Sequence, residues 1–310
     1  MNKDKFEDQA VKSEGELQKK IEAAPSGAAP RKKRFRTLRA AVVSVLMFTL
    51  ICGVIYPVTA TMLSKTLFPY EADGSVVTVT LADGTQRIYG SELMGQKFDS
   101  PFYLLGRVNN GAPTNISPEN PEHQDNMNAR LEYLRKLGYT KNGVPQNLLT
   151  SSGSGTDPHI TPADAEWQVE YLAKNRFNYG WRLVIDENGS IVDYIRLEEY
   201  QIAEGEQIPS DAITGSLITV DVLEQPVEKN GSKIYCAEPI EHTLYFKPAA
   251  VETGLTVLND YDAQKYEAHV RGIIEQYTEG RWLWIFGDPT VNVLLVNLSL
   301  IHISEPTRLL

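Results

Sequence analysis

Residues 38–64 read LRAAVVSVLMFTLICGVIYPVTATMLS, and their reading decides what the rest of the chain has to be. Ala40 to Ser64 is 25 residues without a charge, preceded by six basic residues, Arg31, Lys32, Lys33, Arg34, Arg36 and Arg39. A helix rising ~1.5 Å per residue carries that run about 37 Å, more than the ~30 Å hydrocarbon layer of a bilayer. Residues 40–64 therefore read as a transmembrane helix. A single span encloses no transport pathway by itself, so the remainder is expected to act at a membrane surface or on a membrane-embedded partner.

Lys and Arg beside a span stay on the cytoplasmic side. Past the apolar run the next basic residues are Lys65 and then Arg87. Residues 1–39 accordingly read as a cytoplasmic, basic and disordered lead, and residues from 65 on as extracytoplasmic. A cleaved secretory signal is the alternative, since Val58-Thr59-Ala60 loosely resembles a cleavage site. The apolar run exceeds the roughly 7–15 residues of a signal core, which favours an uncleaved anchor. A lipoprotein reading fails because Cys52 follows the bulky pair Leu50-Ile51.

Charge divides along the same line. Residues 1–39 carry eleven basic and six acidic side chains, a net +5, and the whole chain is −10, so the remainder is −15. An acidic body argues against nucleic acid, whereas the basic tail suits anionic membrane lipid. Two cysteines, Cys52 and Cys236, make neither a disulfide framework nor a metal cluster.

Beyond the span, Pro57 is expected to kink the helix, and Phe68 and Tyr70 fall where aromatic residues sit at an interface. Ser75–Leu81 reads as a strand turning through residues 82–85 into a partner at Arg87–Tyr89. Residues 106–121 read as a loop, and Pro121–Leu137 as a helix with Met127, Leu131 and Leu134 on one face. Thr161, Pro162 and Asp164 form a helix-start signature ahead of the apolar stripe Ala165, Val169 and Leu172. Residues 180–250 switch to strand period, with Asn188-Gly189 and Asn230-Gly231 as hairpin turns. A third helix is expected over Asp262–Thr278, with Tyr266, Val270, Ile273 and Tyr277 on one side. The run Val291–Leu298 reads as a final strand.

Five separated segments together carry a resemblance: GVIYP at 53–57, FPYEADGS at 68–75, GSELMGQKFDSPFYLLGR at 90–107, SSGSGTDPHITPADAEWQ at 151–168 with AKNR at 173–176, and FGDPTVNVLLVNLSL at 286–300. The chain resembles the C subunit of the Kdp potassium-transporting P-type ATPase over roughly residues 40–176 and 262–300. The resemblance implies an α/β (α+β) extracytoplasmic domain on a single N-terminal transmembrane helix. It assigns residues 65–176 and 262–300 to a family-like α/β domain. The hairpin-rich stretch 177–261 departs from the family and reads as an inserted β-rich subdomain. Ser299–Leu310 departs too and resembles translated adapter sequence, so 301–310 is a tail of doubtful origin.

The implied function is that of an accessory subunit in ATP-driven potassium transport. It would stabilise the assembly of a potassium-channel-like subunit and an ATP-hydrolysing subunit at the cell membrane, without catalytic residues of its own. A first alternative is a catalytic chaperone that raises the ATP affinity of the ATPase subunit. For that role the resemblance points to ATP-binding through Ser152, Gly153, Ser154, Gly155 and Gln168, with any ATP shared with the ATPase subunit. The charge rule places these residues opposite the compartment that holds ATP. The bland reading of the serine–glycine stretch is a solvated connector, since no Gly-Lys-Ser/Thr follows to make a phosphate loop. A second alternative is a membrane-anchored surface binding protein.

Other candidates are weighed from the residues alone. Asp157, His159 and Asp164 lie near one another in sequence, but a turn plus a helix cap accounts for them more simply than a metal or acid–base site. His123, His242 and His269 are isolated, and Glu198-Glu199 reads as a solvated face. In the span, Gly53, Tyr56 and Pro57 offer a helix-contact surface, because small residues let backbones approach. Arg107, in the run Gly106-Arg107 and Asn109-Asn110 after Phe98, Phe102 and Tyr103, is the candidate for partner contact. Core packing of those aromatics is the equal alternative.

Overall fold

The computed structural model describes residue 19 and residues 31–80, 85–109, 111–203, 205–281, 283 and 285–302. The remainder of the polar lead, Leu81 with residues 82–84 of the expected turn, Asn110, Glu204, Trp282, Trp284 and the tail 303–310 lie outside the described residues. Two compact units are formed, residues 1–72 and 73–310.

The first unit is helical. Helix α1 (Arg31–Leu50) runs into a π-helical turn at Ile51–Ile55 and continues as α2 (Tyr56–Leu67), followed by the single turn α3 (Pro69–Ala72). Phe35–Leu67 is a continuous 33-residue helix, long and apolar enough to cross a membrane, with none of its most apolar window buried in the protein. The expected break at Pro57 takes the form of the π turn just before it. Tyr56 donates its N–H to the carbonyl of Ile51, one residue further back than in an α-helix. A widened turn is a known way for a helix to take in an irregularity without fraying.

The second unit mixes helices and antiparallel strands. Strands β1 (Val76–Thr80) and β2 (Gln86–Ser91) pair antiparallel, as the sequence indicated. Helix α4 (Pro121–Lys136) is capped by Asn120, whose side chain accepts the N–H of Glu122 at 2.9 Å. After the turn α5 (Gln146–Leu149) and the short β3 (His159–Ile160) comes α6 (Pro162–Asn178). Its capping box is complete: Asp164 donates its N–H to Thr161 Oγ1, and Asp164 Oδ2 accepts the N–H of Thr161 at 2.8 Å. Ala165, Val169, Leu172 and Ala173 on this helix are fully buried and form the centre of the core.

Strands β4 (Trp181–Ile185) and β5 (Ile191–Arg196) pair antiparallel as a hairpin. Strand β6 (Ile213–Thr219) pairs with β9 (Ile240–Phe246), and β7 (Val222–Lys229) with β8 (Ser232–Cys236). Asn230 and Gly231 turn β7 into β8 with φ of +53° and +75°, the left-handed pair that a two-residue hairpin loop requires. The chain does not fold back again from β8, because β9 crosses over to β6. Strand β10 (Thr256–Val257) adds to β4. Helix α7 (Ala263–Gln276) packs on α6 through Tyr266, Val270, Ile273 and Ile274.

The end of the chain corrects the expected final strand. Only Thr290–Asn292 is strand (β12, between β3 and the short β11 at Thr278–Glu279), and Val293–His302 is a helix, α8. Asn292 makes the switch, since its Oδ1 accepts the N–H of Leu295 at 3.2 Å in the manner of an N-cap. Helix α8 is apolar nearly all round because it is nearly all buried, so no amphipathic period marks it.

Candidate functional site

The segment after the aromatic cluster, Leu104-Leu105, belongs to no helix or strand, so its buried peptide groups need other partners. Two side-chain amides supply them. Leu104 donates its N–H to Asn297 Oδ1 at 2.8 Å, and its carbonyl accepts from Asn297 Nδ2 at 2.9 Å. Leu105 donates to Gln168 Oε1 at 2.9 Å, and its carbonyl accepts from Gln168 Nε2 at 3.0 Å. Both leucines are fully buried, Gln168 is fully buried, and Asn297 is 1 % exposed. Helices α6 and α8 thus each clasp the backbone of one residue of the same chain segment, and the peptide between Leu104 and Leu105 is held by both.

That clasp fixes the next few residues, 106–109. Gly106 lies against Val293, and Arg107 reaches Asp157 at 3.4 Å and the carbonyl of Ser151 at 3.4 Å, with its Nε buried and unpartnered among the described residues. Val108 donates its N–H to the carbonyl of Thr150, and Asn109 donates from Nδ2 to the carbonyl of Gly95. Asp157 also accepts the N–H of His159 at 3.0 Å.

The serine–glycine loop, Ser151 to Gly155, sits beside this segment. Ser152 is 7 % exposed, and its Oγ accepts the N–H groups of Gly155 at 3.0 Å and Asp157 at 3.3 Å. Ser154 Oγ accepts from Thr156, and the Gly153 carbonyl accepts from Thr114. Gly155 has φ +71°, and a Cβ there would fall 2.0 Å from the carbonyl oxygen of Ala112. Only glycine fits that approach. The loop's small residues thus close a tight turn against a neighbouring stretch of chain, and Gln168 lies behind it with its amide held by Leu105. Asp164 is committed to the helix cap and to Asn147 Nδ2 at 2.8 Å, apart from the Asp157–His159 turn.

The residues of the aromatic cluster are half-buried and pack on one another. Phe102 stacks on Tyr179 with ring centres 4.2 Å apart, and Tyr103 contacts both Phe98 and Phe102. In the apolar helix, Gly53 belongs to the π turn, Tyr56 is 70 % exposed and Pro57 is the second residue of α2. A Cβ on Gly53 would touch only Thr49, within the same helix.

The sequence reading missed Asn297 and Arg176. Arg176 is fully buried, donating to Tyr194 Oη at 3.1 Å, the carbonyl of Phe102 at 3.0 Å and the carbonyl of Leu300 at 2.6 Å. Its guanidinium lies 3.9 Å from the centre of the Trp181 ring. Burial pushes its pKa below the ordinary value, with Tyr194 opposing the shift. A periodic signal was available: Gln168 and Arg176 both fall on the stripe set by Ala165, Val169 and Leu172.

Among the described residues one helix is long and apolar enough to cross a membrane, which fits a membrane-anchored protein. Residues 38–179 and 261–302 match the family model KdpC, K+-transporting ATPase, c chain, and the chain belongs to that family. It is 38 % identical over 176 residues to the potassium-transporting ATPase KdpC subunit of Clostridium perfringens, which covers 51 % of this chain and 84 % of the relative. The KdpC subunit of Listeria monocytogenes is 41 % identical over 147 residues, 46 % of this chain and 77 % of the relative. That of Janthinobacterium is 37 % identical over 182 residues, 55 % and 90 %. The matched residues include the apolar helix, both clasping helices and Leu104-Leu105. Strands β4 to β10 fall outside the match.

Proposed function

We propose that this chain is an accessory subunit of an ATP-driven potassium uptake complex, and that it stabilises the assembly of the channel-like and ATP-hydrolysing subunits. One observation carries the reading: the family match takes in the apolar helix and the clasped core together. In this reading Gly53, Tyr56 and Pro57 present the membrane helix to partner helices, and Arg107 stands at the body's partner-facing segment. The body faces outward, and its negative charge raises the local concentration of cations near the entrance to the pathway.

Assembly is favoured over a nucleotide role by the state of the two implicated elements. Gln168 has its amide committed to Leu105, and Ser152 has its hydroxyl committed to two backbone N–H groups. Deleting the gene is expected to abolish growth at micromolar potassium and copurification of the remaining subunits. An intact, active complex without this chain rejects the proposal. In the same cells, a Ser154→Cys variant should react with an impermeant thiol reagent from outside, and labelling only after permeabilisation would reverse the orientation.

A further inference from the structure

A cleft of about 520 Å³ opens in the body beside α4. Val108, Ile116, Met127 and Leu149 give it apolar walls from the family-matched residues, and Val220 and Val222 close it from the unmatched stretch. Its charged lining is sparse: Lys97, Asp99 and Arg130. Lys97 and Asp99 pair with each other at 2.9 Å. Arg130 is half-buried, donates only from Nε, to the carbonyl of Leu148 at 3.2 Å, and stacks on the Tyr133 ring at 5.2 Å. Among the described residues its two terminal nitrogens have no protein acceptor.

We propose that this cleft binds a small, singly charged anionic amphiphile, with its head on the Arg130 guanidinium and its apolar tail along Val108, Ile116, Met127, Leu149, Val220 and Val222. A planar fork with free donors matches a carboxylate or similar oxyanion, and the surrounding apolar wall rewards a hydrocarbon tail. Burial pushes the pKa of Arg130 down, so the cation sits partly stripped of water where an anion gains most. Asp99 acts on Arg130 as well as on Lys97, so the charged lining sums to a single positive charge, which suits one negative charge and not the several of a nucleotide. Ser151 and Gly153 reach the lining, whereas Ser152, Ser154, Gly155 and Gln168 do not. Because Val220, Val222 and Cys236 complete the cleft, the site is a property of this chain more than of the family.

The test is calorimetric titration of the full chain in phosphatidylcholine nanodiscs at pH 8, with octanoate, octanol, inorganic phosphate and ATP as probes. Octanoate should bind saturably to the wild type and at least tenfold more weakly to Arg130→Gln. Val222→Asp should weaken it comparably, since it keeps Arg130 and places a like charge at a position 64 % exposed. It therefore decides the matter should the Arg130 variant misfold. Octanol, which has the tail without the charge, should bind alike to the wild type and Arg130→Gln. Octanoate heats that do not differ between wild type and variants, phosphate binding as well as octanoate, or ATP binding more tightly than octanoate would each overturn the proposal.

Discussion

Two stretches of the body hold their backbone by opposite means. The tip of the β7–β8 hairpin pairs within its own two strands, the Lys229↔Ser232 pair lying three residues apart around the Asn230-Gly231 turn, and only the far end of β8 leans on α4, where Glu132 accepts the N–H groups of Tyr235 and Cys236. The Leu104-Leu105 segment has no such neighbour and is clasped by amides 193 and 63 residues away in sequence. The tip of the hairpin is a local object whose loss is local. The clasp joins α6 and α8 through a peptide between them, so damage there is felt across the core.

The sharpest way to break this comparison is Gln168→Leu. It keeps the size of the side chain but orphans the N–H and C=O of Leu105 in a fully buried site. Leaving two buried polar groups unpaired is expected to cost ~3 kcal/mol in denaturant unfolding followed by tryptophan fluorescence. Stability unchanged, together with a loss of ATP response in the assembled complex, would move Gln168 from clasp to nucleotide site.

A second measurement probes the seam where the matched and unmatched stretches meet. His269 on α7 lies against Tyr194 of β5, ring centres 4.6 Å apart, and its Nε2 is buried without a partner among the described residues. Burial, helped by Arg176, pulls its pKa down from 6.5 to about 4. Between those values the unfolded chain binds a proton that the folded chain does not, so stability falls as pH drops. The loss begins near the unfolded value and is complete below about 4. From pH 8 to pH 5 this site should cost about 2 kcal/mol, and His269→Gln should flatten that part of the profile. An unchanged slope in the variant would assign the acid sensitivity to other groups.

The smallest effect belongs to the hairpin tip. Gly231→Val forces a β-branched residue into φ +75° and should cost about 1 kcal/mol. Hydrogen exchange is expected to quicken in β7 and β8 while amides of α6 keep their protection. Loss of protection in α6 would show that the hairpin is not local after all.

These differences match how much each element shows of itself in sequence. The hairpin carries its own label, because two adjacent residues that tolerate left-handed backbone specify the turn. Helix α6 is equally legible: Thr161, Pro162 and Asp164 state its start, and Ala165, Val169 and Leu172 state its buried face. The same stripe contains Gln168 and Arg176, whose burial the period implies but whose polarity argues against it. Helix α8 was misread because its β-branched, uninterrupted apolar run imitates a buried strand, and only Asn292 marks the start.

From its sequence alone, this protein had a long uncharged helix, a basic flank, an acidic body, its principal helices and its Asn-Gly turns. Each depends on residues within a few positions of one another, where period, capping and charge act directly. The tertiary structure alone decided that Gln168 and Asn297 serve Leu105 and Leu104, that Arg176 holds the carbonyls of Phe102 and Leu300, and that the last apolar run coils. A buried peptide must find a partner somewhere, and neither distance along the chain nor residue type reveals which side chain will reach it.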